Sequence, residues 1–149
     1  MIIVRKAKNE DLLELYNIEI ECFKNDILSK NSLRNFINHK YHILLVAQQN
    51  QTITGYILTL INPRHKLARH YSLAILPQYR RQSIAKQLLL EAESHVIKKQ
   101  GIKLEIRIDN KAAKILYESI GYKAGKIKPN YYEDGCDAIE MIKILPKRI

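Results

Sequence analysis

Apolar positions along this chain recur with period two in short runs and with period 3.6 in longer ones, so strands and helices alternate from the first residues. Ile2 to Lys6 reads as a strand. Asn9 is placed to cap a following helix, where Leu12, Leu15, Ile18 and Cys22 form a stripe running up to Phe23. After the polar segment Lys24 to Lys30, a second helix starts at Ser29 or Asn31 and turns Leu33, Phe36 and Ile37 inward. Ile43 to Gln48 and Thr52 to Ile61 form an antiparallel pair around Gln49-Asn50-Gln51, and Gly55 marks a bulge or a close approach. Pro63 to Ala68 is a basic loop. Tyr71 to Leu76 then has the composition of a buried strand and breaks at Pro77.

An amphipathic helix follows that break. Ala85, Leu88, Leu89, Ala92 and Val96 lie on one face, with Lys86, Gln87, Glu93 and Lys98 opposite, and Gly101 is placed as the C′ residue that ends it. In Lys103 to Ile108, Leu104, Ile106 and Ile108 point one way and Lys103, Glu105 and Arg107 the other. Asn110 is an N-cap candidate for Lys111 to Ser119, with Ala112, Ile115, Leu116 and Ile120 as the inward stripe. Asn110, Ala113 and Tyr117 share an adjacent edge. Gly121 stops that helix, and Tyr122 to Lys128 and Ala138 to Ile144 close the chain as a strand pair with an Asp134-Gly135 turn.

With 149 residues this is enough chain for one domain, residues 1–149, with a real core. No run of about twenty apolar residues predicts a membrane span. The start of the chain reads as a strand rather than an export signal. Cys22 and Cys136 form no Cys-x-x-Cys, and His39-x-x-His42 has no further ligand at metal-binding spacing, so two reduced thiols, a cytoplasmic location and no metal are expected. The net charge of +10 favours polyanions: a nucleotide cofactor, a ribosome or an RNA surface.

The chemistry concentrates after Pro77. A strand that stops and feeds a helix leaves free amides and partial positive charge at the helix start, and the residues there are Arg80-Arg81-Gln82-Ser83-Ile84-Ala85, followed by Lys86. That combination suits a diphosphate. Arg80-x-x-Ser83-x-Ala85 resembles the Gln/Arg-x-x-Gly-x-Gly/Ala signature of the GNAT acyltransferases, which hold the pyrophosphate of acetyl-CoA in this turn. Ser83 departs from the pattern, where glycine is usual.

A second motif strengthens the resemblance. Glu105-Ile-Arg-Ile-Asp-Asn110-Lys-Ala-Ala-Lys-Ile-Leu-Tyr117-Glu-Ser-Ile-Gly121-Tyr122, continuing into Asn130-Tyr131-Tyr132 and Asp137-Ala138, is similar to the ribosomal-protein-alanine N-acetyltransferase (RimI) type. The similarity covers nearly the whole chain. It implies an α/β fold in the order β-α-α-β-β-β-α-β-α-β-β, with a central mixed sheet flanked by helices. It further implies that backbone groups of Leu73, Ala74 and Ile75 meet the pantetheine arm, that Arg80 to Lys86 hold the diphosphate, and that Asn110 assists. Glu105 would be the base and Tyr117 the acid at the coenzyme A sulfur, with Tyr117 also touching the cofactor. Tyr131 and Tyr132 are either an acceptor-peptide clamp or ordinary hairpin tyrosines. The expected acceptor is a protein N-terminal α-amine, a ribosomal protein for example. An α-amine with pKa about 7.7–8.0 is partly neutral near neutral pH, whereas a lysine near about 10.4 is not. A small-molecule amine or a lysine is the alternative acceptor. The alternative of another class is a non-catalytic basic module that binds RNA or ribosomes. No membrane or direct nucleic-acid contact is required by the leading reading.

Overall fold

The computed structural model describes residues 1–146. Seven strands form one mixed sheet: β1 (Ile2–Lys6), β2 (Ile43–Gln49), β3 (Thr52–Leu60), β4 (Leu67–Ile75), β5 (Gly101–Arg107), β6 (Lys123–Lys128) and β7 (Ala138–Ile144). Their spatial order is β1-β2-β3-β4-β5-β7-β6, antiparallel everywhere except between β4 and β5. Helices α1 (Leu12–Cys22) and α2 (Lys30–Ile37) cover one face, and α3 (Ile84–Ser94) and α4 (Lys111–Ser119) the other. The element order is the expected one.

Strand alternation divides the core between the two faces. Leu44, Val46, Tyr56 and Leu58 pack under Leu15, Ile18 and Leu33 of α1 and α2. Leu45, Ala47, Ile57, Ile102 and Leu104 meet Ile84, Leu88, Leu89 and Ala92 of α3. Two register shifts interrupt this pattern. Ala47 pairs with Gly55 and Gln48 with Ile53, so Thr54 is an extra residue beside Gly55. At Gly55 itself a Cβ would fall 2.8 Å from the Ala74 carbonyl oxygen, so close packing excludes a side chain there. In β4, Leu58 faces Ser72 but Thr59 faces His70, which makes Tyr71 the extra residue and reverses the alternation from there back along the strand.

Several local expectations are corrected. Asn9 caps nothing: residues 9–11 form a short 3₁₀ turn, the Asp11 carboxylate takes the Lys8 amide at 2.7 Å, and Asn9 accepts from Asn38. Ser29 caps α2 by accepting from the Ser32 amide. β4 begins at Leu67, within the expected loop, because Leu67 to Arg69 pair with Gly101 to Lys103. That pairing also corrects Gly101. It is the first residue of β5 rather than a helix cap, and a Cβ on it would lie 2.6 Å from the Lys143 carbonyl. Helix α3 ends earlier, at Ser94, where the chain turns to join the loop before β4 through Lys99 Nζ to the Asn62 and His65 carbonyls and Gln100 N to Lys66 O. The stripe of α4 is also rotated. Tyr117 turns inward, edge-on to Tyr122 with ring centroids 5.5 Å apart, beside Ala113, Leu116 and Ile120, and leaves Ala112 and Ile115 exposed.

Candidate active site

The single parallel pairing positions the site. β4 and β5 are hydrogen-bonded only from Leu67↔Gly101 to Arg69↔Lys103 and part beyond it. A cleft of about 870 Å³ opens over this fork, walled by the α1–α2 connection on one side and the β6–β7 connection on the other. Leu73, Glu105, Asn110, Tyr117, Tyr131 and Tyr132 all line it.

Glu105 lies on the α1 side of β5. Because the extra residue at Tyr71 turns Arg69 to that same side, the guanidinium reaches the Glu105 carboxylate at 2.8 Å. Lys128 Nζ, from the end of β6, takes the other carboxylate oxygen at 2.9 Å. Burial pushes the Glu105 pKa up, but the Lys128 hydrogen bond and the Arg69 charge outweigh it and hold the group below its ordinary value. Glu105 is therefore an anion held by two cations. Arg69 also donates to the Tyr131 hydroxyl at 2.8 Å, and Lys128 sits over the Tyr131 ring. Tyr132 stands edge-on to Tyr131 with the Arg107 guanidinium over its face, and Arg107 pairs with Asp134. The two tyrosines thus form a braced wall of the cleft.

Tyr117 is 7% exposed, and burial together with Tyr132 raises its pKa to about 12. It keeps its proton at any ordinary pH. Asn110 caps α4 by accepting the Ala113 amide at 3.1 Å, which fixes the helix start at the mouth of the cleft.

At the other end, Arg80 to Ser83 precede the helix rather than forming its first turn. Pro77 to Tyr79 make a 3₁₀ turn, Arg81 and Ser83 take φ of 66° and 63°, and α3 begins at Ile84. The first backbone bond of the helix is Gln87 N to Ser83 O, so the amides of Ile84, Ala85 and Lys86 lack intrahelical partners. Gln82, Arg81 and Lys86 are exposed beside them. This is a left-handed loop feeding a helix N-terminus amid cations, a donor set that fits a diphosphate. Arg80 behaves differently. Its Nε turns back to the Ile75 carbonyl at 3.0 Å, which Cys22 Sγ also approaches at 3.5 Å. Ile75 therefore offers less of its backbone than Leu73 on the open edge.

A family profile described as an acetyltransferase (GNAT) domain matches residues 6–145. The chain belongs to the GNAT acetyltransferase family. It is 28% identical to the catalytic subunit of the N-terminal acetyltransferase A complex of Arabidopsis thaliana, over 97% of this chain and 79% of the relative. The fold of the ribosomal-protein-alanine N-acetyltransferase from Escherichia coli superposes with a TM-score of 0.87 at 26% identity, covering 100% of this chain and 97% of that one. The PaiA N-acetyltransferase of Thermoplasma acidophilum, solved in complex with coenzyme A, shares the fold with a TM-score of 0.79 at 23% identity, over 97% and 99% of the two chains.

Two features of this GNAT domain escaped the sequence. One is the clamp of Arg69 and Lys128 on Glu105, which depends on a bulge. The other is a set of buried polar chains. On the α3 side, Glu93 turns inward, not outward as expected of a charged residue. It accepts from Tyr122 at 2.9 Å and from Lys143 at 2.8 Å, and Tyr122 meets His70, which meets Thr59. On the α1 side, Glu19 accepts from the Tyr56 hydroxyl and from the Leu28 amide at 2.8 Å. A helical glutamate aligned with the apolar stripe, as Glu19 is with Ile18 and Leu15, was the available signal.

Proposed function

We propose that this GNAT enzyme acetylates the N-terminal α-amine of a protein, a ribosomal protein being the acceptor class its relatives suggest, with acetyl-CoA as the acetyl donor. The observation that carries this reading is the fork between β4 and β5, where an ionised Glu105 and a protonated Tyr117 line one cleft. Bound there, acetyl-CoA would supply an activated acetyl carbon and a thiolate leaving group. The amides of Ile84 to Lys86, with Arg81 and Gln82, would hold its diphosphate. The open edge of β4 at Leu73 and Ala74, and Asn110 across the fork, would hold the pantetheine arm.

Each protein residue then has one task. Tyr131 and Tyr132 bound the acceptor end and position the peptide backbone. As the amine nitrogen bonds to carbon, its two protons become far more acidic than those of a free ammonium, and a carboxylate with a depressed pKa can take one, leaving the other on the amide. Glu105 does so. Tyr117 offers its proton to the sulfur as the C–S bond breaks, and burial keeps that proton in place until then. The support from outside the chain is the N-terminal acetyltransferase relative and the coenzyme A complex of a fold neighbour. Calorimetric titration with acetyl-CoA tests the cofactor half: micromolar affinity is expected, and no binding at millimolar concentration overturns the reading.

A further inference from the structure

An α-amine reaches the cleft mostly as an ammonium at neutral pH, so one proton must leave before nitrogen can attack. Glu105 is poorly suited to that first proton because two cations already hold it. Among the described residues, the ion pairs lining the cleft run to Glu105 and to the aspartates Asp109 and Asp134, and none involves Glu19. Glu19, 1% exposed, lines the same cleft from α1.

The hydrogen-bond directions around Glu19 follow from counting protons. The Tyr56 hydroxyl contacts Glu19 Oε2 and also lies 2.7 Å from Ser72 Oγ. A carboxylate only accepts, so the one phenol proton goes to Glu19, and Ser72 must donate to the Tyr56 oxygen. Both protons point toward the carboxylate. Ser72 stands on the cleft wall at the residue that follows the extra position in β4, with lone pairs left to accept from a ligand.

We propose that Ser72, Tyr56 and Glu19 form a proton wire that takes the first proton from the acceptor ammonium; this rests on the α-amine reading above. The ammonium donates one N–H to Ser72 Oγ, the Ser72 proton passes to the Tyr56 oxygen, and the Tyr56 proton passes to Glu19 Oε2. The products are a neutral amine with its lone pair free and a protonated Glu19. After the acetylated product leaves, the same three hydroxyl and carboxyl groups return the proton to water in the open cleft. Glu105 is left with the second, more acidic proton. The titratable groups that face Glu19 are Tyr56 from β3 and Cys22 on its own helix, both held neutral by burial first, with Arg80 directed at Cys22 from beyond β4.

The pH dependence of kcat/KM for a short peptide with N-terminal alanine, at saturating acetyl-CoA, tests the wire. With the wire intact the enzyme uses the ammonium form, and kcat/KM stays level from pH 6 to pH 8. Tyr56→Phe and Ser72→Ala must wait for the neutral amine, so their values climb tenfold per pH unit. They fall about 10²-fold below the parent at pH 6 for an amine of pKa about 8, and converge with it near pH 9. Ser72→Thr keeps the hydroxyl and restores the level profile. Should Tyr56→Phe fail to fold, Ser72→Ala at the cleft wall carries the test, with acetyl-CoA affinity as the check on its fold. Variants that are slower by one constant factor at every pH would overturn the wire and leave the function standing, as would a parent profile that itself climbs tenfold per unit. A parent that binds acetyl-CoA but acetylates no α-amine at any pH overturns the α-amine reading and the wire with it.

Discussion

Ser83→Gly isolates the cost of the one departure in the diphosphate turn. Ser83 sits at φ 63°, ψ 18°, in the left-handed region, where an L side chain costs about 1–2 kcal/mol. Its hydroxyl makes no capping hydrogen bond, so trimming it sacrifices no bond in the free protein. Glycine gives back about 0.4–1 kcal/mol through the greater freedom of the unfolded chain. The balance is a net stabilisation of about 0.5–1 kcal/mol, or a rise in Tm of about 2 °C for a chain of this length. Ser83→Ala is the control, since it removes the hydroxyl and keeps the strain, and its Tm should not rise. Scanning calorimetry of the three proteins without ligand reads the effect. Titration with coenzyme A then asks whether the hydroxyl contributes to the cofactor: weaker binding in both variants would assign it a phosphate contact, and tighter binding in glycine alone a need for backbone approach. A lower Tm for glycine, or a higher one for alanine, would refute the strain argument.

Tyr117→Phe should cut kcat by about 10²-fold or more while acetyl-CoA affinity stays within about twofold; unchanged turnover would remove Tyr117 from proton transfer. Glu105 has a folded pKa below its unfolded value near 4.5, so its pairs with Arg69 and Lys128 stabilise the fold above that pH and are lost as pH falls through the folded value. Glu105→Gln should therefore lower Tm at pH 7, with the gap closing as pH falls below 4.5, and a gap independent of pH would contradict the pairing. Burial lowers the His70 pKa from 6.5 to about 3, so below pH 6.5 the unfolded chain gains a proton that the fold cannot take up until about pH 3. Stability should fall across that window, and denaturant titrations of His70→Gln should show a flatter decline; equal slopes would place the acid sensitivity elsewhere.

What the sequence revealed and what it hid divide by range. Helix α4 and its Asn110 cap, the Ser29 cap of α2 and the order of elements along the chain were legible because each rests on neighbours a few residues apart. Gly101 misled for the same reason: a glycine after a helix has a local explanation, while the real constraint is the Lys143 carbonyl from a strand forty residues on. The α4 stripe was misphased because Ile115 is more apolar than Tyr117, yet the Tyr122 ring gave the tyrosine the better inward partner. At the site, Glu105, Asn110 and Tyr117 were singled out through the resemblance and Tyr131 and Tyr132 as one of two readings, and all five line one cleft. Arg69 and Lys128 were invisible because a single extra residue at Tyr71 decides which way Arg69 points. Glu93 was assigned to solvent on its charge alone, whereas Tyr122 and Lys143 satisfy it inside.

The central claim is acetyl transfer from acetyl-CoA to a protein α-amine. Its most direct test is mass spectrometry of a peptide that carries both a free N-terminal alanine and an internal lysine, incubated with the protein and acetyl-CoA. The account predicts one added acetyl group, borne by the N-terminal fragment, and none when the α-amine is blocked beforehand. Acetyl groups confined to the lysine, or no transfer to either amine, would contradict it.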